Sequence, residues 1–249
     1  MLELRRITFA CDDPQPIAEF WAQVLDGYTP EPIGTSWRSR GEGPELYFNQ
    51  MEKSPTIELP IHLDVNVPDR EAELLRLLAL GARLVETKSH SIGELSETWT
   101  VMRDPEGNGF CIQTPPNPLP DRYVGNVTFS CAEPRELGHF WADAFGWAEE
   151  EVDEAFLQKL RDGGMDEREL SSFYATRNPD GSRPRFLFQR REKSQPESYP
   201  IHLDLRSDDR DAEIERLRTS GATVVEMKND ADRTWTVMRD PEGNPFCVE

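Results

Sequence analysis

Polar and apolar residues alternate through 4–11, LRRITFAC, which is the period of a half-buried strand. Asp13 and Pro14 break the run. Ile17, Phe20, Trp21 and Val24 then recur at three- and four-residue steps and predict an amphipathic helix that ends at Gly27. Short strands are expected near 29–33, 35–40 and 45–50. PIHLDVNV at 60–67 reads as another strand. Residues 69–80 repeat the helical period through Leu74, Leu77 and Leu78, with Gly81 as the stop. Strands at 83–87, 98–103 and 109–113 follow. The first 113 residues therefore read βαβββ twice.

The rest of the chain repeats this pattern. ITFACDDP at 7–14 returns as VTFSCAEP at 127–134, and AEFWA at 18–22 as GHFWA at 138–142. EKS followed by PIHLD (52–64) returns at 192–204, and LGA at 80–82 as SGA at 220–222. Two copies of one module account for nearly the whole chain. We place the first at 1–115, a Pro-rich linker at 116–123 within TPPNPLPDR, and the second at 124–249. The second copy carries an insertion near 149–183. It is rich in acids, with Val152, Phe156, Leu157 and Leu160 near helical spacing. A lid over a cleft and a solvated helical appendage both suit that pattern, and so does a contact surface for a partner.

The longest identical stretch is TWTVMRDPEGN, at 98–108 and again at 234–244. Asp-Pro-Glu-Gly predicts a type I turn, so each stretch reads as a hairpin. Turn geometry, together with Trp99 and Val101 packing on one face, is expected to account for the identity. The chemistry then lies on the strands the hairpin delivers.

Composition narrows the partners. With 28 Lys and Arg against 47 Asp and Glu, the net charge of −19 repels phosphate backbones, so nucleic acid is not an expected partner. No apolar run approaches the ~20 residues of a membrane span. The N-terminus has no leader pattern, and a cytoplasmic location is expected. Cys11, Cys111, Cys131 and Cys247 lie far apart and form neither a disulfide framework nor a zinc knuckle.

Four features together resemble the vicinal oxygen chelate superfamily, and within it the glyoxalase-like and bleomycin-resistance-like domains. They are Phe20-Trp21 and Phe140-Trp141, the HLD strands (His62 to Asp64, His202 to Asp204), the helix ending in Gly-Ala, and DPEGN-x-F. The resemblance implies an α+β fold of two tandem modules, with pairs of βαβββ units forming curved, cupped sheets flanked by helices. Whether each cup forms within one copy or between the two is left open. It also implies metal-ligand positions. The first-strand position falls on Arg6 and Asn126, the fifth-strand position on His62 and His202, and the eighth-strand position on Cys111 and Cys247.

That set keeps one customary ligand in three. Arg has no lone pair to give, and an Asn carbonyl is a weak ligand. No cofactor is therefore expected, and a divalent metal held by His62, Asp64, Cys111, His202, Asp204 and Cys247 is the minor alternative. Asp64 and Asp204 either complete such a site or orient the imidazoles. Arg6 either anchors an anion or pairs with surface acids. Cys111 and Cys247 read first as small buried hydrophobes. Trp99 and Trp235, with Trp37, Trp147 and Tyr47, are aromatic candidates. The expected function is binding of a small apolar or aromatic molecule in a cup lined by Arg6, His62, Cys111, Asn126, His202, Cys247, Trp99 and Trp235. The alternative is a glyoxalase-like lyase or isomerase with an atypical metal site or with His62 or His202 as general base. A monomer or a homodimer suits either reading.

Overall fold

A computed structural model describes residues 2–51, 60–92, 95–191, 199–230 and 234–249. The repeated EKS segments lie outside them. The first copy runs β1 (Glu3–Cys11), α1 (Pro14–Val24), β2 (Thr29–Ile33), β3 (Ser36–Arg40) and β4 (Glu45–Gln50). Its second unit is β5 (Ile61–Asn66), α2 (Arg70–Ala79), β6 (Arg83–Ile92), β7 (Leu95–Arg103) and β8 (Gly109–Gln113). The second copy runs β9 (Tyr123–Cys131), α3 (Pro134–Phe145), β10 (Ala148–Glu149), α4 (Glu154–Asp162), α5 (Glu167–Leu170), β11 (Phe173–Arg177) and β12 (Arg185–Arg190). It closes with β13 (Ile201–Arg206), α6 (Arg210–Thr219), β14 (Thr223–Asn229), β15 (Thr234–Arg239) and β16 (Pro245–Val248). The periodicity thus placed each predicted element of the first copy. The β6–β7 ladder runs longer than expected, from Arg83↔Arg103 to Ile92↔Leu95. Among the described residues no helix is long and apolar enough to cross a membrane.

The strands form two eight-stranded sheets, and each sheet draws on both copies. One has the order β14-β15-β16-β13-β1-β4-β3-β2, the other β10-β11-β12-β9-β5-β8-β7-β6. The first unites the two ends of the chain and is called here the terminal sheet. The second uses the unbroken middle of the chain and is the central sheet. The question left open by the repeat is settled: β1 pairs antiparallel with β13, and β5 with β9, so both cups are shared between copies.

The sheets are joined through their helix-bearing faces by one continuous apolar core. Trp21 of α1 lies 5.2 Å from Phe9 of the terminal sheet and 5.2 Å from Phe110 of the central sheet. Trp141 of α3 does the same in mirror order, against Phe129 at 5.5 Å and Phe246 at 5.2 Å. Each indole N–H is also satisfied, as a buried Trp requires. Trp21 Nε1 donates to Asp104 at 3.1 Å, and Trp141 Nε1 to Asp240 at 3.2 Å.

Those bonds explain the repeated eleven residues. Asp104 closes its own turn, accepting the backbone N–H groups of Glu106 and Asn108 and the Asn108 amide. Gly107 takes φ +90°, and its N–H returns to the Asp104 carbonyl. Glu106 in turn accepts the backbone N–H groups of Asp12 and Asp13, just ahead of α1. Glu242 repeats this at Ala132 and Glu133. The hairpin is scaffolding, as read, but the packing differs from expectation. Met102 and Thr100 face the core with no exposure, while Trp99 and Val101 point to the opposite, concave face.

The insertion is also narrower than its predicted range. The extra residues fall mainly in α4 and α5 and continue in a longer loop at 178–184, because residues 173–177 between them are the strand β11 of the module itself. Where the central sheet carries these two helices between β10 and β11, the terminal sheet has only residues 34–35 between β2 and β3.

Candidate functional site

On the concave side of each sheet, four neighbouring strands bring polar residues into one transverse row. In the central sheet the row reads Cys111 (β8), Asp64 (β5), Asn126 (β9) and Arg185 (β12). In the terminal sheet it reads Cys247 (β16), Asp204 (β13), Arg6 (β1) and Glu45 (β4). The histidines lie two residues before the aspartates, on the same face. His62 sits opposite Thr128, and His202 opposite Thr8. The candidates therefore sort across copies: Asn126 joins His62 and Cys111, while Arg6 joins His202 and Cys247.

The hub of each cluster is the aspartate. Asp64 is 5 % exposed and accepts Asn126 Nδ2 at 2.8 Å and Thr128 Oγ1 at 2.7 Å. Its other oxygen lies 3.3 Å from His62 Nε2, and the Cys111 thiol donates to it as well. Four donors fill the roughly four lone-pair sites a carboxylate offers. Asp204 is built alike, accepting Arg6 Nε at 2.5 Å and Thr8 Oγ1 at 2.8 Å, with His202 Nε2 at 3.3 Å and the Cys247 thiol. Thr8, Thr128 and Arg185 escaped the sequence reading. Their signal was the register: each lies directly across from, or two residues along from, a residue already chosen.

Burial alone would raise both carboxyls. The His62 imidazole, with Asn126 and Thr128, overcomes that at Asp64, and His202 with Arg6 overcomes it at Asp204, so both stay ionised below the usual carboxylate range. The thiols move the other way. Burial, and then the adjacent carboxylate, push Cys111 and Cys247 well above an ordinary thiol. They remain protonated donors, which suits small buried side chains.

Arg6 is buried rather than paired with surface acids. It contacts Asp204 and Glu249 and lies 4.4 Å over the Tyr47 ring. Trp99 and Trp235 flank the clusters on the concave faces, one strand beyond the cysteines. Trp37 and Trp147 belong to the core instead; Trp147 packs on Phe145 at 4.9 Å and Phe186 at 4.8 Å.

Spacing alone would admit a metal ion. One ligand atom from each of His62, Asp64 and Cys111, or of His202, Asp204 and Cys247, lies within 4.8 Å of the others. The donor chemistry argues against it. An ion needs lone pairs, and here His62 Nε2 and both thiols present hydrogens to the carboxylate. In the terminal cluster the Arg6 cation already occupies the carboxylate face. In the central cluster Asn126 and Thr128 already donate to the Asp64 carboxylate.

The profile of the glyoxalase-like domain family matches residues 6–113 and 126–249. Among curated proteins none matches the chain. Among solved structures, glyoxalase I from Zea mays superposes with a TM-score of 0.66 over 100 % of this chain and 92 % of that one, at 10 % identity. A putative dioxygenase from Bacillus subtilis superposes with a TM-score of 0.61 at 11 % identity, covering 98 % of this chain and 84 % of that one. At such identities the likeness is one of fold.

Proposed function

Since the chain belongs to the glyoxalase-like domain family, we propose that it is a small-molecule-binding member that works without a metal ion. The compound it holds is apolar or aromatic and lies in a concave sheet face. The observation that carries this is the charge of the cluster. A metal centre is a cation ringed by acceptors, whereas Asp64 and Asp204 are anions ringed by donors. Trp99 and Trp235 stand beside the clusters as flat apolar walls. Elemental analysis of gently purified protein, repeated after incubation with zinc, nickel and manganese, tests the first half. A stoichiometric ion would overturn it. A thermal-shift screen of aromatic and apolar compounds tests the second, and no stabilisation by any compound would overturn that.

One observation favours a second, catalytic reading. His62 Nε2 faces Asp64, and its Nδ1 is buried with no hydrogen-bond partner among the described residues. An imidazole oriented in this way by a carboxylate can take a proton from a ligand. This reading requires turnover of some carbonyl compound by wild-type protein. The activity must disappear in a folded His62→Ala variant.

A further inference from the structure

The two cups are equivalent by register and unequal in content. Three pairs of matched positions show it. The first-strand position is Arg6 in the terminal cup and Asn126 in the central one. The residue across from the threonine is Tyr47 in one and Leu187 in the other. The next strand contributes Arg38 beside Tyr47, but Ala175 beside Leu187. At these three positions the central cup has the smaller side chain; at a fourth, Arg185 stands where the terminal cup has Glu45 and pairs with Glu150. The terminal cup is filled instead by an ionic lattice. Arg38 pairs with Glu31 at 2.6 Å, Arg40 with Glu45 at 2.7 Å, and Arg6 with Asp204. Tyr47 is 8 % exposed beneath Arg6.

Both cups have one apolar wall, Trp99 and Val101 in the central and Trp235 and Val237 in the terminal, but only the central cup faces it with a second. Leu187 and Ala175 form one side, Trp99 and Val101 the other. Phe173, 53 % exposed, stands at the edge where the terminal sheet has Ser36. Its polar floor also differs: His62 Nδ1 is buried and unpartnered among the described residues. The cations on this face are committed, Lys88 to Glu86 and both Arg177 and Arg185 to Glu150. Among the described residues an anionic ligand would find no free cation on this face, and it would meet the Asp64 carboxylate.

Resting on the binding reading above, we infer that the two cups have divided their roles. The central cup alone takes ligand, and the terminal cup is a structural ion lattice. The ligand is a neutral planar aromatic molecule carrying a hydroxyl or N–H. Its ring lies between Trp99 and Leu187, and its hydrogen is donated to His62 Nδ1.

Calorimetric titration of the full chain with phenol, indole and acetanilide tests this. Each is run against its methylated partner (anisole, 1-methylindole and N-methylacetanilide), with benzoate as the anionic control. At least one donor-bearing probe is expected to bind at one site per chain. Its methylated partner should be weaker by about tenfold, the cost of an unmade buried hydrogen bond. Benzoate should not bind. Ala175→Arg and Leu187→Tyr, which import the terminal cup's residues, should each weaken binding at least tenfold while circular dichroism stays unchanged. Arg38→Ala should leave it unchanged. Two sites per chain, indifference to Ala175→Arg and Leu187→Tyr in folded protein, loss on Arg38→Ala, or tighter binding of benzoate would each overturn the inference and leave the binding reading standing. The same holds if no probe binds while the wider screen finds another ligand. If the wider screen also finds nothing, the binding reading itself falls.

Discussion

Replacing Asp204 by Ala asks whether the terminal cluster holds the fold together. The substitution removes the acceptor of Thr8 Oγ1 and His202 Nε2. It also leaves the Arg6 guanidinium, 7 % exposed, with Glu249 at 3.4 Å as its one carboxylate among the described residues. Removing one partner of a buried ion pair costs about 3–5 kcal/mol, because the remaining charge stays desolvated. Against a total stability of roughly 5–15 kcal/mol, that is a large share. For a chain of this size it lowers Tm by about 6–20 °C. Asp64→Ala removes the same kind of hub but strands only neutral donors, so its cost is expected to be smaller. Denaturant titration at several pH values reads both effects. The folded pKa of Asp204 lies below its ordinary 3.8, so its contribution is complete above that value and is lost as pH falls below it. The gap between wild type and Asp204→Ala should therefore be constant from pH 7 to 5 and close in more acidic buffer. A cost under about 1 kcal/mol at pH 7, a gap that persists undiminished into acid, or a larger cost for Asp64→Ala would refute the argument.

Other consequences are simpler to check. Trp141→Phe keeps most of the apolar contact but strips Asp240 of its indole donor. Unfolding titration should show a loss of about 1–3 kcal/mol, and Trp21→Phe should match it because the setting is duplicated. Gly138→Ala, which would favour an ordinary helix by up to ~1 kcal/mol, should instead destabilise, since the new Cβ meets the Tyr174 ring at 2.0 Å. All four cysteines are buried, and burial lifts the Cys131 thiol to about 12. Native protein at pH 8 should resist a thiol reagent that labels the urea-unfolded chain fully. Asp240, raised to about 6 by burial despite its donors, works against Asp204. Its contribution is present at acid pH and declines as pH rises through 6, so Asp240→Asn should flatten that part of the stability profile.

Local order was legible in the sequence because it is written locally. The alternation of LRRITFAC and the three- and four-residue steps of Ile17, Phe20, Trp21 and Val24 reflect which faces are buried, and β1 and α1 followed. Partner choice was not legible, for a physical reason. β5 and β13 both carry IHLD, so β1 meets the same hydrophobic face and the same His and Asp in either. No side-chain pattern distinguishes the two pairings. That ambiguity carried into the site: the residues were found, but which of His62 and His202 lies beside Arg6 stayed open until β1 was seen to pair with β13. Arg185 and the two threonines were invisible for a related reason, since they matter only through register across strands. The hairpin misled differently. Its identity was read as turn geometry with Trp99 and Val101 packed on one face, whereas the bond that ties it to the core runs from Trp21 to Asp104 across 83 residues of sequence.

The arrangement of the sheets also dictates an order of assembly. All eight strands of the central sheet lie between Ile61 and Arg190, in one unbroken length of chain. A ribosome can release that stretch complete, and it can pair with itself at once. The terminal sheet has no such freedom. Its first half is synthesised before the central sheet, yet β1 waits for β13, with Glu3 opposite Arg206. Loop closure over such a span is slow, and during that interval the strand edge of β1 is unpaired. The terminal sheet is thus begun before the central sheet is made and closed after it.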